Sequence, residues 1–457
     1  MKRRDFIRTS AIIAAAASAS PLVRAADDID PQPLVDTPRE PESVEPGRLI
    51  VSAPVLQNYA ETSIGIAFAV SAMASGYVLI GLKPDLSDAR KIICGGQRLA
   101  DISDKVVQVR VTGLKPSTLY YYRIGADRIN YGGGYAMSVA GTEEDPRIYS
   151  FKTAGKRTKA HFGVVNDTHA HWDVIETAFE KAAELKPVCM VLNGDACNCE
   201  ETIDDQIRIF IKPEVSRQDL AADIPFLFSP GNHDLRGFAN RHLERVWMYR
   251  SGDERLPRDW DLGRNFAVRL GKVALIGMDT EEDKLDSNPR FAGLFKSAEY
   301  REAQTLWLKD ALARDEIRTA PYQVLFCHIP LFDADPTHNP GDVAPADTDP
   351  QYTTDYALWQ RTCAGLWGPL LEASGCQVVI SAHQHRYRYD APSAERPWAQ
   401  IVGGGWETTL GRFPTLIEGI EKDGEFEIVI HNLASGTVQD SFSFRPRTRK
   451  FTSRKKF

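Results

Sequence analysis

Five short apolar segments of the chain end in residues whose side chains commonly bind metal ions. The segments and the polar residues that follow them are 162–165 before Asp167 and His169, 188–192 before Asp195, 225–228 before Asn232, His233 and Asp234, 324–327 before His328, and 378–382 before His383 and His385. Four or five apolar residues bounded by turn signals are typical of a buried strand. Because strands of one sheet can gather their carboxyl ends on one rim, we expect these distant residues to form one cluster.

The chemistry of the cluster follows from its donor atoms. The candidate ligands are Asp167, His169, Asp195, Asn232, His328, His383 and His385. Oxygen and nitrogen donors suit Zn, Fe or Mn better than a soft metal. Seven ligands are too many for one tetrahedral ion and match two ions that share a bridging carboxylate. Two ions roughly 3.5–4 Å apart activate water and clamp the oxygens of a displacement at phosphorus, which predicts phosphate ester hydrolysis.

The order of these motifs resembles the calcineurin-like metallophosphoesterase superfamily. That order is Asp-x-His, Gly-Asp, Gly-Asn-His-Asp, His and His-x-His. The segments 229–234, 275–280 and 304–308 are also similar to sequences of the family. The resemblance covers roughly residues 158–435. Two neighbours of the ligands depart from the pattern, since Ala382 and Cys327 stand where Gly is common. Neither is a ligand, so the ligand assignment is little affected.

The resemblance implies a role for each residue of the cluster. Asp167, His169 and His385 would hold the first ion; Asn232, His328 and His383 would hold the second; Asp195 would bridge them. A metal-activated hydroxide would attack the phosphate ester. His233 would assist the leaving group, as its proton donor or as a hydrogen-bond donor to the phosphoryl oxygens. Asp234 would orient the His233 imidazole and favour its protonated form.

The first 25 residues resemble a twin-arginine export signal. Lys2 to Arg8 contain the arginine pair Arg3 and Arg4, and an Ala-rich apolar stretch follows. That stretch is shorter than the ~20 residues that a bilayer span needs. We therefore expect cleavage after Ala25, export of the folded protein by the twin-arginine machinery to the periplasm or beyond, and no stable membrane span. A membrane anchor is the alternative.

Charge and cysteine content restrict the partners. Residues 1–25 carry five positive groups and one negative, so their removal takes the formal net charge from −7 to −11. An acidic protein is not expected to bind nucleic acid as its main partner, and a small phosphorylated substrate is expected instead. Residues 448–457 form a basic tail. The seven cysteines are an odd number, and whether Cys363 pairs with Cys376 is left open.

An all-β module is predicted ahead of the cluster. Residues 26–46 are rich in Pro and acidic residues and predict an extended linker. Residues 47–155 contain alternating apolar positions such as those of 64–70. The string 114–120 resembles the turn before strand F of a fibronectin type III domain, with Tyr120 as the corner tyrosine. Such a sandwich followed by a metallophosphoesterase domain resembles the purple acid phosphatases and their bacterial relatives.

Residues 158–447 are predicted to form the catalytic domain. Apolar residues recur at helical spacing in 172–185 and 307–312, and 356–371 predicts a third helix. Strands alternating with helices indicate an α/β domain, and the resemblance implies two sheets flanked by helices. Asn198 lies three residues after Asp195, at the position where purple acid phosphatases have the tyrosine whose bond to ferric iron gives them their colour. Those enzymes have no histidine at the position of His169.

The sequence thus predicts an exported, binuclear, metal-dependent phosphoesterase. A phosphodiesterase or nucleotide hydrolase of the same fold is an alternative, because the pocket loops decide between these activities. A catalytically inert surface-binding protein is a further alternative, although none of the expected ligands is missing. Among the other histidines, His171 and His338 are candidates for the pocket rim. The remaining three, His161, His242 and His431, are expected to be structural or solvated.

Overall fold

A computed structural model of the chain describes residues 47–95, 103–133, 136–211, 219–249, 260, 262–332, 350–409 and 411–448. The predicted signal (1–25), the linker (26–46), His338 and the tail beyond residue 448 lie outside the described residues. Within these ranges, no helix is long and apolar enough to cross a bilayer.

Twenty strands and five α-helices make up the described regular structure. In the first part of the chain the strands are β1 (Val55–Gln57), β2 (Ser63–Ala69), β3 (Ala74–Gly81), β4 (Arg90–Ile93), β5 (Val106–Thr112), β6 (Leu119–Tyr131), β7 (Met137–Glu144) and β8 (Tyr149–Lys152). The elements that follow are β9 (His161–Val165), α1 (Trp172–Leu185), β10 (Cys189–Leu192), α2 (Ile203–Phe210), β11 (Phe226–Phe228), β12 (Phe266–Leu270), β13 (Val273–Met278), α3 (Ser297–Ala313), α4 (Asp315–Arg318), β14 (Tyr322–Cys327), α5 (Pro350–Ser374), β15 (Val378–Ser381), β16 (Arg388–Asp390), β17 (Ala399–Val402), β18 (Thr415–Lys422), β19 (Glu425–Asn432) and β20 (Thr437–Phe444).

All five apolar segments before the candidate ligands are strands, but they belong to two sheets rather than one. A nine-stranded sheet has the order β20-β19-β18-β9-β10-β11-β1-β2-β5, and a six-stranded sheet has the order β12-β13-β14-β15-β17-β16. Strands β9, β10 and β11 pair in parallel, as do β14 and β15. The strand ends meet in one cluster as expected, but they come from both of the sheets that the resemblance implied, because periodicity identifies buried strands and not their sheet.

The two sheets and their helices form four layers, as an α/β domain requires. Between the sheets the apolar side chains interlock, and Phe162 of one sheet meets Phe326 of the other edge-on at 5.7 Å between ring centroids. Helices α1 and α2 cover the outer face of the nine-stranded sheet. Helices α3 and α5 cover the six-stranded sheet, where Trp359 and Trp367 are fully buried. The predicted helix at 172–185 is confirmed.

The N-terminal module is a β-sandwich. Strands β1, β2 and β5 face a second, antiparallel sheet of order β4-β3-β6-β7, with β8 also paired to β6. The Tyr120 hydroxyl accepts a hydrogen bond from the Lys115 N–H at 3.0 Å. Strand β2, which contains alternating apolar positions of the segment 64–70, is buried along its whole length. The face of β2 that carries the small residues is covered by Met248, whose Cε would lie only 2.5 Å from a Cβ at Gly65.

This module shares a sheet with the catalytic domain. Strand β1 pairs in parallel with β11, Gln57 opposite Phe226. The buried Gln57 side chain donates to Val246 O and accepts from Met248 N, both at 2.9 Å, and Tyr122 Oη donates to Ala222 O at 2.6 Å. The sequence predicted two domains divided near residue 155, but the nine-stranded sheet crosses that division, so the two parts are rigidly joined.

Several residues outside the cluster have structural roles. His161 Nε2 and His431 Nε2 contact the two oxygens of Glu418 at 2.7 and 2.9 Å, which agrees with the structural role expected for these histidines. His242 is exposed beside Glu244. All seven cysteines are free thiols, so the pairing of Cys363 with Cys376 that the sequence left open is absent from the structure.

We predict that Gln57→Leu destabilises the protein, because a leucine side chain cannot hydrogen-bond to the two buried backbone groups that Gln57 contacts. Val246 O and Met248 N would lose their partners in a buried environment, where each unsatisfied group costs about 1–3 kcal/mol. Denaturant unfolding should show a clear fall in the free energy of unfolding. Gln108→Leu is the matched control, since Gln108 makes one exposed hydrogen bond to Glu244 O. Equal stabilities for the two variants would contradict the role of Gln57.

Candidate metal centre and active site

The strands deliver the candidate ligands through sharp turns at their carboxyl ends. Five of the seven have positive φ angles: Asp167 (48°), His169 (44°), Asp195 (51°), His383 (69°) and His385 (53°). Non-glycine residues rarely adopt this left-handed conformation, and it concentrates at functional sites. Gly194 has φ 85°, and a Cβ there would lie 2.2 Å from His328 Nδ1. The backbone is therefore bent so that side chains from different strands converge.

The structure brings all seven predicted ligands together. One group of donor atoms comprises Asp167, His169, Asp195 and His385, and a second comprises Asp195, His328 and His383. Within each group all ligand atoms lie within 4.8 Å of one another. Asn232 Oδ1 lies 2.9 Å from His383 Nδ1 and extends the second group. Asp195 belongs to both groups, so its carboxylate stands at the centre of the cluster.

Each imidazole of the cluster has an acceptor behind the nitrogen that faces away from the centre. His328 Nδ1 donates to Asn193 O at 3.0 Å. His169 Nδ1 faces Asn198 Oδ1 at 3.3 Å. The other two contacts are His385 Nδ1 to Glu407 Oε1 at 3.4 Å and His383 Nε2 to Asp283 Oδ2 at 3.7 Å. Such outer partners fix the tautomer of a metal-binding histidine.

These tautomers leave acceptor nitrogens facing one another. His169 Nε2 and His385 Nε2 lie 3.0 Å apart. In both rings Nδ1 faces the outer oxygen acceptor and so carries the proton. Two lone pairs at this distance repel unless a cation lies near both. The distance is about that between two nitrogens bound to one ion at ~2.1 Å. The residues present therefore fit a metal ion.

The balance of charge supports the same fit. Burial alone would lower the pKa of His328, yet Asp195 and Asp167 raise it to about 10. Burial lowers the pKa of His383 to about 3 despite the Asp283 carboxylate beside it. Asp167 and Asp195 are almost completely buried, and buried carboxylates need compensating positive charge. Divalent cations would supply that charge.

Asp234 does not orient His233, which corrects the role expected for it. Its carboxylate accepts backbone hydrogen bonds from Asp195, Cys197 and Gly231, each at 2.8 Å. Asp234 is fully buried; burial, followed by the nearby Asp195 carboxylate, raises its pKa to about 7. It ties the loop after β10 to the loop after β11, and so places the central carboxylate of Asp195.

His233 lies beside the cluster with partners that the sequence did not suggest. Its ring packs edge-on against His169, with centroids 4.6 Å apart. Its Nε2 lies 3.2 Å from an Arg236 nitrogen and its Nδ1 lies 3.5 Å from Cys199 Sγ. A guanidinium can only donate, so Nε2 accepts and the proton is on Nδ1. Burial lowers the pKa of His233 to about 4, which favours the neutral ring over the expected protonated form.

Arg236 also contacts the amide of Asn232. When the amide is turned over, its nitrogen donates to His383 Nδ1 and its oxygen accepts from Arg236 at 3.0 and 3.2 Å. Metal binding through the oxygen requires the opposite orientation. Arg236 is held by Glu282, with two contacts of 2.8 Å, and by Asp283 at 3.1 Å.

Sequence reasoning missed the loop after β17, which forms one wall of the cluster. A Cβ at Gly405 would lie 2.9 Å from both Asp167 Cβ and His385 Cγ, so only glycine allows this approach. Trp406 N donates to Asp167 O at 3.1 Å, and Glu407 follows with its contact to His385 and an ion pair with Arg412. Three consecutive glycines at 403–405 were the available signal. Arg236 and Asp283 had no comparable signal.

Comparisons with known proteins agree with this fold and site. Residues 160–387 match the family model described as calcineurin-like phosphoesterase. The solved structure of the purple acid phosphatase PPD1 from yellow lupin (Lupinus luteus) seeds is similar, with a TM-score of 0.58, 14% identity, and coverage of 87% of this chain and 75% of that chain. The structure of PhoD has a TM-score of 0.58 at 12% identity and covers 90% of this chain and 94% of that chain. None of the curated proteins matches.

The chain therefore belongs to the metallophosphoesterase superfamily through its calcineurin-like phosphoesterase domain. It is a phosphoesterase, and its clustered Asp and His side chains could hold a metal ion. The similarity to the two solved structures concerns the fold, since both are below 15% identical in sequence.

We predict that Glu407→Gln weakens metal binding. The carboxylate behind His385 Nδ1 would become a neutral amide that faces Nδ1 with either its oxygen or its donor NH₂ group. Loss of such an outer partner typically costs 10–100-fold in metal affinity. Competition with a chromophoric chelator would measure the change. Glu421→Gln is the control, because Glu421 pairs with Lys272 away from the cluster. The same affinity in both variants would exclude the orienting role of Glu407.

Proposed function

We propose that this chain is an exported phosphoesterase with a binuclear metal centre. The observation that supports two ions is the shared carboxylate: Asp195 contributes to both groups of donor atoms. Asp167, His169 and His385 would hold the first ion, and Asn232, His328 and His383 the second, with Asp195 between them. Fe, Zn or Mn suits this donor set.

The reaction proposed is hydrolysis of a small phosphate ester. Paired ions supply a water of lowered pKa and neutralise the charge of the phosphoryl group. The chain's own residues hold the geometry: Asp234 fixes the backbone of Asp195, and four outer acceptors fix the imidazoles. His233 would assist the leaving group by a hydrogen bond donated from Nδ1, the nitrogen that carries the proton when Nε2 accepts from Arg236. Arg236, next to both His233 and Asn232, would orient that ring and supply a local cation beside an otherwise acidic cluster.

The absence of a tyrosinate ligand is a further part of the proposal. Asn198 stands at the position where the purple acid phosphatases have their tyrosine, and its side chain supports His169. A neutral imidazole in place of a phenolate favours divalent ions at the first site relative to ferric iron. The chain would therefore share the two-part layout of those enzymes without their colour.

The N-terminal sandwich is proposed to be fibronectin type III-like. Strands β1, β2 and β5 facing a five-stranded antiparallel sheet, and the hydrogen bond to the Tyr120 hydroxyl, support this assignment. Because β1 extends the catalytic sheet, the module would act as a fixed part of the enzyme and not as a mobile binding domain.

Our first functional prediction concerns Asp195. Asp195→Ala should lose both metal ions and nearly all turnover of 4-nitrophenyl phosphate, because the shared ligand is gone. His233→Ala is the matched comparison: it should keep its metal content while kcat falls by about 10²–10⁴. Elemental analysis and steady-state kinetics measure both quantities. An Asp195→Ala protein with two ions per chain, or a His233→Ala protein without them, would refute the assigned roles.

Export is proposed from the twin-arginine signal in residues 1–25. Replacing Arg3 and Arg4 together by Lys should retain the precursor in the cytoplasm, whereas Arg8→Lys should not. Fractionation and intact-mass measurement test this, with the mature protein expected to begin at Ala26. An exported protein that still begins at Met1 would show that the segment is not a cleaved signal.

A further inference from the structure

Two stacked rings form part of the wall of the metal centre. His171 and Trp406 lie nearly parallel, with centroids 4.0 Å apart and planes 9° apart. Trp406 also meets the His385 ring edge-on at 6.5 Å. Both residues of the stack are partly exposed. The stack therefore borders the group that contains Asp167 and His385.

Both rings are held in place by the backbone of the cluster. Trp406 N donates to Asp167 O at 3.1 Å, and His171 N donates to Thr168 O at 2.8 Å. Gly405 allows the Trp406 backbone to approach Asp167 and His385 closely. The backbone of Asp167 and Thr168 thus helps to fix where the two stacked residues lie.

The His171 side chain has no other evident structural task. His171 precedes α1 at the N-cap position, where a polar side chain often accepts a hydrogen bond from the helix, but its side chain makes no capping hydrogen bond. Its ring packs on Trp406 instead. The two rings cover one face of each other, and because both residues are partly exposed, the pair offers a flat, polarisable surface at the edge of the site.

We propose that the His171–Trp406 stack binds the leaving group of the substrate, and that the enzyme prefers phosphate esters with a planar aromatic leaving group, such as an aryl or nucleobase-bearing ester. Planar groups stack on aromatic side chains largely irrespective of their hydrogen-bonding pattern. An alkyl group cannot gain the same contact. This inference rests on the proposed phosphoesterase function and specifies its substrate class.

Direct binding tests the proposal without turnover. Calorimetry on the metal-loaded protein would compare phenylphosphonate with methylphosphonate. We expect phenylphosphonate to bind roughly 5- to 100-fold more tightly, the range that one aromatic stacking contact contributes. Equal affinities would overturn the proposal and leave the phosphoesterase function intact. Failure of both probes to bind, together with no hydrolysis of any ester, would instead refute the proposed function.

Substitutions in the two rings test whether the His171–Trp406 stack causes the preference for phenylphosphonate. Trp406→Leu keeps apolar bulk but removes the planar ring, and should reduce the phenyl-over-methyl preference at least ~5-fold; Trp406→Phe should restore most of it. His171→Ala should reduce the preference less. Tyr389→Leu is the matched control, since Tyr389 stacks on Phe442 at 4.0 Å and 15° outside the site. If Trp406→Leu does not fold, an unchanged preference in His171→Ala would still contradict the proposal.

Discussion

The structure depends on holding several carboxylates and imidazoles together in a buried space. Asp167, Asp195 and Asp234 are at most 1% exposed, and unpaired charges at such depth are costly. Asp234 is compensated by three backbone N–H groups, and Asp195 by His328 at 3.1 Å. His169 Nε2 and His385 Nε2 face one another at 3.0 Å beside the carboxylates of Asp195 and Asp167. Metal ions would complete the balance, and the oxygen and nitrogen donors of the cluster suit ions of hard or borderline character.

Rigid elements on every side keep these groups in place. Strands from two sheets end at the cluster, and left-handed backbone conformations turn their last residues inward. The β-sandwich adds to this frame because β1 continues the nine-stranded sheet beside β11, whose loop contains Asn232 and His233. The glycine-rich loop after β17 closes the cluster from another side and places Trp406 and Glu407 against it.

The sequence predicted the strands and the clustering of the polar residues that follow them, because both have local signals. An apolar run followed by Asp, Asn or His is visible without a structure, and so is the spacing of helix α1. The division between sheets was not predictable, since β9 and β14 have the same pattern of buried residues. The role of Asp234 was also missed: its neighbour in sequence is His233, but its partners are backbone groups of distant loops. Arg236 and Asp283 reach the site only through folding.

The most direct test of a two-ion centre is anomalous scattering from crystals of the metal-loaded protein, measured on both sides of the Mn, Fe and Zn absorption edges. Our account predicts two peaks roughly 3.5–4 Å apart, one among Asp167, His169 and His385, the other among Asn232, His328 and His383, with Asp195 between them. A single peak in the fully loaded protein, or peaks elsewhere such as beside Glu418, would contradict it.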